Sequence, residues 1–575
     1  MSTTFVENID YPNEVTRVKE SLEKDIQSVD SNDIDDYINK FLDISNNAKN
    51  NEAEEKNMTL LEGLKKFPKA AAWSIVLSSA IIMEGYDTTL IASFFGFPAF
   101  KEKYGEYSDG TYEIPARWQT AIQMSVNIGE IIGLFIAGII ADRIGYRKTL
   151  IFSLILVTGF IFIPFFAKNI EMILAGEVLL GVPWGAFQTL SISYASEVCP
   201  LVLRPYLTTY VNMCWSIGQL IAAGVLRGFV SNDSALAYRV PFAIQWAWPI
   251  PIMIGIFLAP ESPWWLVKKQ KLEQADICLK RLITENNALY KDQLSKAMLH
   301  KIQMTIDDEQ KVNDSSDLPS YMDCFKGKDL RRTRIACLVW VIQNVCGSTL
   351  MGYASYFFIQ AGMSEDMSFT FTIIMYVIGI IGTLGSWLIS RRYGRFLIYF
   401  YGLCCMSILL LIIGALGCSQ QNAASWGIGA LLIAFAFAYN ISVGPIVYCI
   451  VTELPSIRLR TKSIILARNF YNIAGIAVTV ITPYMLNPTA WNWKAKAGFF
   501  WAGFSIIGAA WAFFELPETK GRTFAELDAL FEKKTPSRRF ESTEVEVFNA
   551  GKLMERMGED GIKEFVDKNE RIEIA

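Results

Sequence analysis

Twelve apolar runs, each long enough to cross a bilayer, decide what this chain can be. Six lie at 70–97, 118–141, 149–168, 171–195, 206–230 and 240–260. Six more lie at 335–361, 368–390, 396–418, 424–452, 462–486 and 498–516. A membrane-spanning helix needs about 20 mainly apolar residues. At 575 residues, 52% hydrophobic and 19% charged, the chain is also too apolar for a soluble globule of its size. The predicted fold is an all-α integral membrane protein with twelve transmembrane helices in two pseudo-symmetric six-helix bundles.

The polar segments orient the bundles. Lys65, Lys66 and Lys69 precede the first run, and Arg143, Arg147 and Lys148 follow the second. Arg391, Arg392 and Arg395 follow the eighth, and Arg458, Arg460 and Lys462 the tenth. Cytoplasmic loops carry the excess of Lys and Arg, so both termini are expected inside, with Lys101, Lys103, Lys494 and Lys496 as exceptions outside. The expected organisation is a disordered cytosolic tail at 1–69, bundles at 70–260 and 335–516, a cytosolic helical linker at 261–334, and a cytosolic tail at 517–575. Asn232-Asp233-Ser234 is a glycosylation sequon on an outer loop. The N-terminus lacks a charged start followed by an apolar core, so no cleaved signal peptide is expected.

Composition also excludes chemistry. A net charge of -4 offers no basic field for nucleic acid. The ten cysteines lie mostly in apolar runs without metal-ligand spacing, and His300 is the only histidine. No metal, no cofactor and no enzymatic activity is expected.

The two halves echo each other. Asp142-Arg143-Ile144-Gly145-Tyr146-Arg147 after the second run answers Arg391-Arg392-Tyr393-Gly394-Arg395 after the eighth. Likewise 194–204, with Glu197 and Arg204, answers 451–460, with Glu453, Arg458 and Arg460. An offset of six runs marks a duplication, and a transporter so built holds its site between the halves. Asp142, Arg143, Arg147, Glu197, Arg204, Arg392, Arg395, Glu453 and Arg460 are candidates for a cytoplasmic gate. Glu197 with Arg204, and Glu453 with Arg458 or Arg460, are the expected pairs.

Glu84 and Asp87 stand inside the first run. A carboxylate at the centre of a span costs about 2.5–3.5 kcal/mol on insertion scales, and residues three apart share a helix face. Both acids therefore point into protein or a watery cavity, and proton or cation handling is the expected role.

Residues 85–89 (GYDTT), 141–148 (ADRIGYRK), 260–266 (PESPWWL), 343–353 (QNVCGSTLMGY), 444–448 (GPIVY) and 517–523 (PETKGRT) resemble the sugar porters of the major facilitator superfamily, from about Trp73 to Phe531. The stretches 129–133 (GEIIG), 208–215 (TTYVNMCW) and 468–475 (RNFYNIAG) are most similar to the fungal maltose and general α-glucoside permeases. The resemblance implies proton symport and makes Asp87 the acid of the first span that takes up the coupling proton. Where many members have a Gly-Arg pair in the fourth span, this chain has Gly176-Glu177. Asp87 thus lacks its usual counter-ion. Glu84, Glu130 and Glu177 crowd acids into this half, with Arg227 and Arg468 as the candidate balancing cations. Glu84, Asp87, Glu130, Glu177 and Arg468 form the expected proton-coupling set.

By the same resemblance, sugar binding falls to Asn212, Gln219, Gln343, Asn344, Thr349, Tyr353, Tyr448 and Asn472. Gln343-Asn344, Thr349 and Tyr448 depart from the pattern common in hexose carriers and fit a disaccharide. The implied function is import of α-glucosides, most of all maltose, with a proton as co-substrate, by a multi-pass plasma-membrane protein working as a monomer in the bilayer. A facilitative sugar uniporter and a non-transporting sugar sensor are the alternatives.

Overall fold

The computed structural model describes residues 31–95, 97–108, 111–229, 234–312, 320–354, 357–358, 365–418, 422–486, 491, 493–545 and 566. The Asn232-Asp233-Ser234 sequon falls largely outside them. Among the described residues, ten helices are long and apolar enough to cross a membrane. Two more complete the twelve-helix fold. The fifth, Arg204–Phe229, carries Asn212, Gln219 and Arg227 and is too polar to qualify on hydropathy alone. The seventh, Gly327–Val345, breaks at Gly347, whose φ of +97° a glycine adopts without a Cβ clash, before the short helix Thr349–Gly352. Interrupted helices at a repeat interface are where transporters place their sites.

Helix neighbours repeat with the same offset of six. The first span packs on the fifth as the seventh packs on the eleventh, the second on the fourth as the eighth on the tenth, and the third on the sixth as the ninth on the twelfth. Between bundles, the second meets the eleventh and the fifth meets the eighth. Close approach inside the N-terminal bundle depends on small residues. A Cβ added at Gly181 would meet Gly129 Cα at 2.9 Å, and one at Gly185 would meet Glu130 O at 2.7 Å. Van der Waals packing of this kind holds helices together where lipid competes for apolar contacts.

The N-terminal tail departs from the expected disorder. Ser31–Asn57 is one helix of 27 residues lying along the linker helix Ala288–Val312. Its buried Ile38 and Phe41 give it an apolar stripe. Its end is pinned by Glu55 to Lys301 at 2.5 Å and by Lys56 to Glu526 at 3.0 Å. Residues 1–30 lie outside the described residues. At the other end, the capped helix Phe524–Glu532 is followed by a chain whose buried Phe540 packs on Phe531, with ring centroids 5.0 Å apart. His300, in a polar stretch of sequence, is buried within the linker, and desolvation lowers its pKa to about 4.

Candidate functional site

A cavity of about 300 Å³ lies between the bundles, the size at which small-molecule pockets begin. Seven of the eight expected sugar-binding residues line it: Asn212, Gln219, Gln343, Asn344, Thr349, Tyr353 and Tyr448. Asn472 does not. It is fully buried and faces Glu130 instead, because its place in the eleventh helix turns it toward the second. The wall also carries Gln123, Asn127, Tyr376, Asn440 and Tyr471, which sequence reasoning missed.

The polar groups are held in place by neighbours across the seam. Asn212 donates to Thr383 Oγ1 at 3.1 Å and to Asn440 Oδ1 at 2.9 Å, joining the fifth span to the eighth and tenth. Gln343 donates to the Gly444 carbonyl at 2.9 Å, and among the described residues its Oε1 has no partner, while Asn344 donates to the Tyr471 carbonyl at 3.1 Å. Tyr353 donates to Gln123 Oε1 at 2.5 Å, a further bridge between bundles. Trp340 meets Tyr448 edge-on at 6.2 Å. Amides and hydroxyls with both donor and acceptor capacity, beside aromatic faces, are what a polyhydroxyl ligand needs.

The expected acid set divides in two. Glu84 and Glu130 lie against each other beside Arg468, and Glu130 and Arg468 line the cavity. Gln188 links the first group across the two bundles. Its Nε2 donates to Glu84 Oε1, and its Oε1 accepts from Arg468 Nε at 2.5 Å. The Arg468 guanidinium also stacks 4.1 Å from the Tyr471 ring. Asp87 belongs elsewhere, accepting from Gln245 Nε2 at 2.6 Å and facing Glu177 and Trp184. Among the described residues no Lys or Arg pairs with Asp87 or Glu177. Arg227 does not balance either group, because it is exposed in the last turn of its helix.

The face of the repeated loops is closed, with pairings that differ from those expected. Glu197 does not ion-pair with Arg204. It accepts from Tyr146 Oη at 3.1 Å and Ser262 Oγ at 2.5 Å, and lies 3.8 Å from Arg460 of the opposite bundle. Glu453 pairs with Arg395 at 3.1 Å and accepts from Thr519 Oγ1 at 2.5 Å, in place of Arg458 or Arg460. Arg458 lies 3.9 Å from Asp323. Arg204 stacks 3.9 Å from the Phe524 ring, which Arg460 approaches at 3.5 Å from the other half.

Asp142 binds Lys462, and Lys268 donates to the Ile457 carbonyl at 2.7 Å, both across the seam. Arg147 stacks on Phe257 of its own bundle at 5.1 Å. Arg143 and Arg392 are exposed and are not drawn into these contacts, since each sits at the outward edge of its turn.

The sequence repeat also has an unread part. Glu261 accepts from the backbone N–H of Tyr146 at 3.0 Å, just as Glu518 accepts from that of Arg395 at 2.8 Å. The 260–262 and 517–519 tripeptides thus do the same work in each half.

The family model for sugar (and other) transporters matches residues 73–531. The chain belongs to that family. It is a multi-pass membrane transporter. The maltose permease MAL61 of Saccharomyces cerevisiae is 48% identical over 527 residues, covering 91% of this chain and 85% of the relative. The general alpha-glucoside permease of the same yeast is 46% identical over 526 residues, covering 91% and 85%. Among solved structures, the proton:xylose symporter XylE bound to 6-bromo-6-deoxy-D-glucose superposes with a TM-score of 0.69 at 20% identity, covering 80% of this chain and 99% of that one. The inward open conformation of XylE from E. coli gives 0.60 at 20% identity, over 80% and 99%. The major facilitator fold is common to them all.

Proposed function

We propose that this protein imports α-glucosides, maltose above all, together with a proton across the plasma membrane by alternating access. The observation that carries the reading is the chain Glu84, Gln188, Arg468. It ties a buried acid of one bundle to a cavity-wall cation of the other. A proton arriving at the Glu84 and Glu130 pair removes negative charge facing Arg468, loosens that tie, and frees the bundles to rock once sugar bridges the cavity. Loss of the proton on the far side restores the tie and favours sugar release. The maltose and α-glucoside permeases among the relatives support this substrate class.

The driving force is sufficient. One charge crossing a potential of about 100 mV supplies roughly 2.3 kcal/mol. At about 1.4 kcal/mol per tenfold, that concentrates a neutral sugar roughly fiftyfold.

In this reading the proton is a co-substrate and no cofactor is required. The bundles at 70–260 and 335–516 move about the central cavity, and the linker, both tails and the closed face are cytoplasmic. A single chain is the working unit. The test is the double variant Glu84→Gln, Glu130→Gln in vesicles. It is expected to exchange labelled maltose across the membrane without accumulating it, and accumulation at the wild-type level would refute the assignment.

A further inference from the structure

Four cations meet at the membrane boundary on the closed face. Lys69 and Trp73, at the start of the Pro68–Phe94 span, form one wall of an open cavity of about 480 Å³. Ile277, Lys280 and Arg281 of the linker helix Leu272–Leu282, with Lys291, form the other. Arg281 fixes the level of this cavity. Its Nη2 donates at 3.0 Å to the carbonyl of Leu258, the last residue of the sixth span. The opening therefore sits where hydrocarbon gives way to headgroups.

The lining has two characters. Ile277 is 59% exposed beside the charges, and Trp73 is half-buried and of the type that settles at membrane interfaces. Lys280 is held by Asp276 at 2.7 Å and by Asp292 at 2.5 Å, and Lys296 shares Asp292 at 3.2 Å. Lys69, Arg281 and Lys291 have no acidic partner within 4.0 Å among the described residues. Three uncompensated cations over an apolar floor fit a ligand that is anionic at one end and apolar at the other.

We infer that this cavity binds the phosphate-bearing headgroup of an anionic phospholipid, with the acyl chains running past Trp73 and Ile277. The lipid ties the first span to the linker. In the orientation proposed above, the leaflet that supplies this lipid is the cytoplasmic one. Basic pockets at the ends of membrane spans attract such headgroups electrostatically.

The test is native mass spectrometry of the full chain in micelles doped with phosphatidylserine, phosphatidylinositol or phosphatidylcholine. The wild type is expected to retain the two anionic lipids over phosphatidylcholine. The variant Lys69→Gln, Arg281→Gln, Lys291→Gln is expected to lose that preference by roughly tenfold or more. Lys291→Glu alone, a single change, is expected to weaken it. Lys101→Gln, Lys103→Gln, in the loop between the first two spans at the opposite face, is expected to leave it intact.

Unchanged lipid preference in the triple variant would overturn the proposal. So would displacement of the lipid by millimolar inorganic phosphate, which would make this a site for soluble anions. Because the readout involves no transport, a failure of the symport reading would leave this result unaffected.

Discussion

Replacing Gln188 by Met tests the link between proton and sugar most sharply. The substitution keeps side-chain length and removes both hydrogen bonds, the one to Glu84 Oε1 and the one accepted from Arg468 Nε at 2.5 Å. Hydrogen bonds to charged groups contribute about 1.5–3 kcal/mol each. Only the bond from Arg468 crosses from one bundle to the other, so the substitution removes about 1.5–3 kcal/mol from the tie between bundles. That is comparable with the roughly 2.3 kcal/mol that one proton brings across 100 mV, so most of the coupling should be lost.

The assay compares two readings in energised vesicles: exchange of labelled maltose, and steady-state accumulation. Gln188→Met is expected to exchange maltose within about threefold of wild type, since Gln188 does not line the cavity. Accumulation should fall from roughly fiftyfold to about fourfold or less. Wild-type accumulation by this variant would refute the coupling role, and loss of exchange would make Gln188 a packing residue.

Four further outcomes follow from particular contacts. Tyr353→Phe removes the 2.5 Å bond to Gln123, a neutral hydrogen bond of about 0.5–1.5 kcal/mol. Maltose half-saturation should rise about two- to tenfold, and an unchanged value would exclude Tyr353 from the bound state. Arg395→Ala strands the buried Glu453 carboxylate and should cost about 3–5 kcal/mol, read as a lowered melting temperature. Arg117→Ala, which breaks the exposed pair with Glu106, should change it little. His300 has its pKa lowered to about 4 by burial, so the folded state resists its protonation. Its stabilising effect is full above about pH 6.5 and fades as pH falls toward 4. At pH 5 this amounts to about 2 kcal/mol lost, and His300→Gln should flatten the pH dependence of melting between pH 7.5 and 5.

Spans, loops and the duplicated gate motifs were legible in the sequence because hydropathy and spacing are properties of the chain itself. The division of the acids was not. Residues three apart on a helix differ by about 60° in direction, enough for Glu84 to meet Gln188 while Asp87 meets Gln245 and Glu177. Those glutamines sit in apolar runs, where an amide reads as ordinary helix packing until its partner is known. The gate pairs were misread for a related reason. Glu197 and Arg204 are close in sequence, yet Arg204 lies over Phe524 and the cation nearest Glu197 is Arg460, more than 250 residues away. The Ser31–Asn57 helix was missed because its average polarity conceals a narrow stripe at Ile38, Phe41 and Ile44.

The most direct measurement is extracellular alkalinisation when maltose, and then glucose, is added to de-energised cells expressing the chain. Alkalinisation with maltose and none with glucose is the predicted result. Labelled maltose entering without any pH change would contradict symport and reduce Glu84, Glu130 and Arg468 to structural residues.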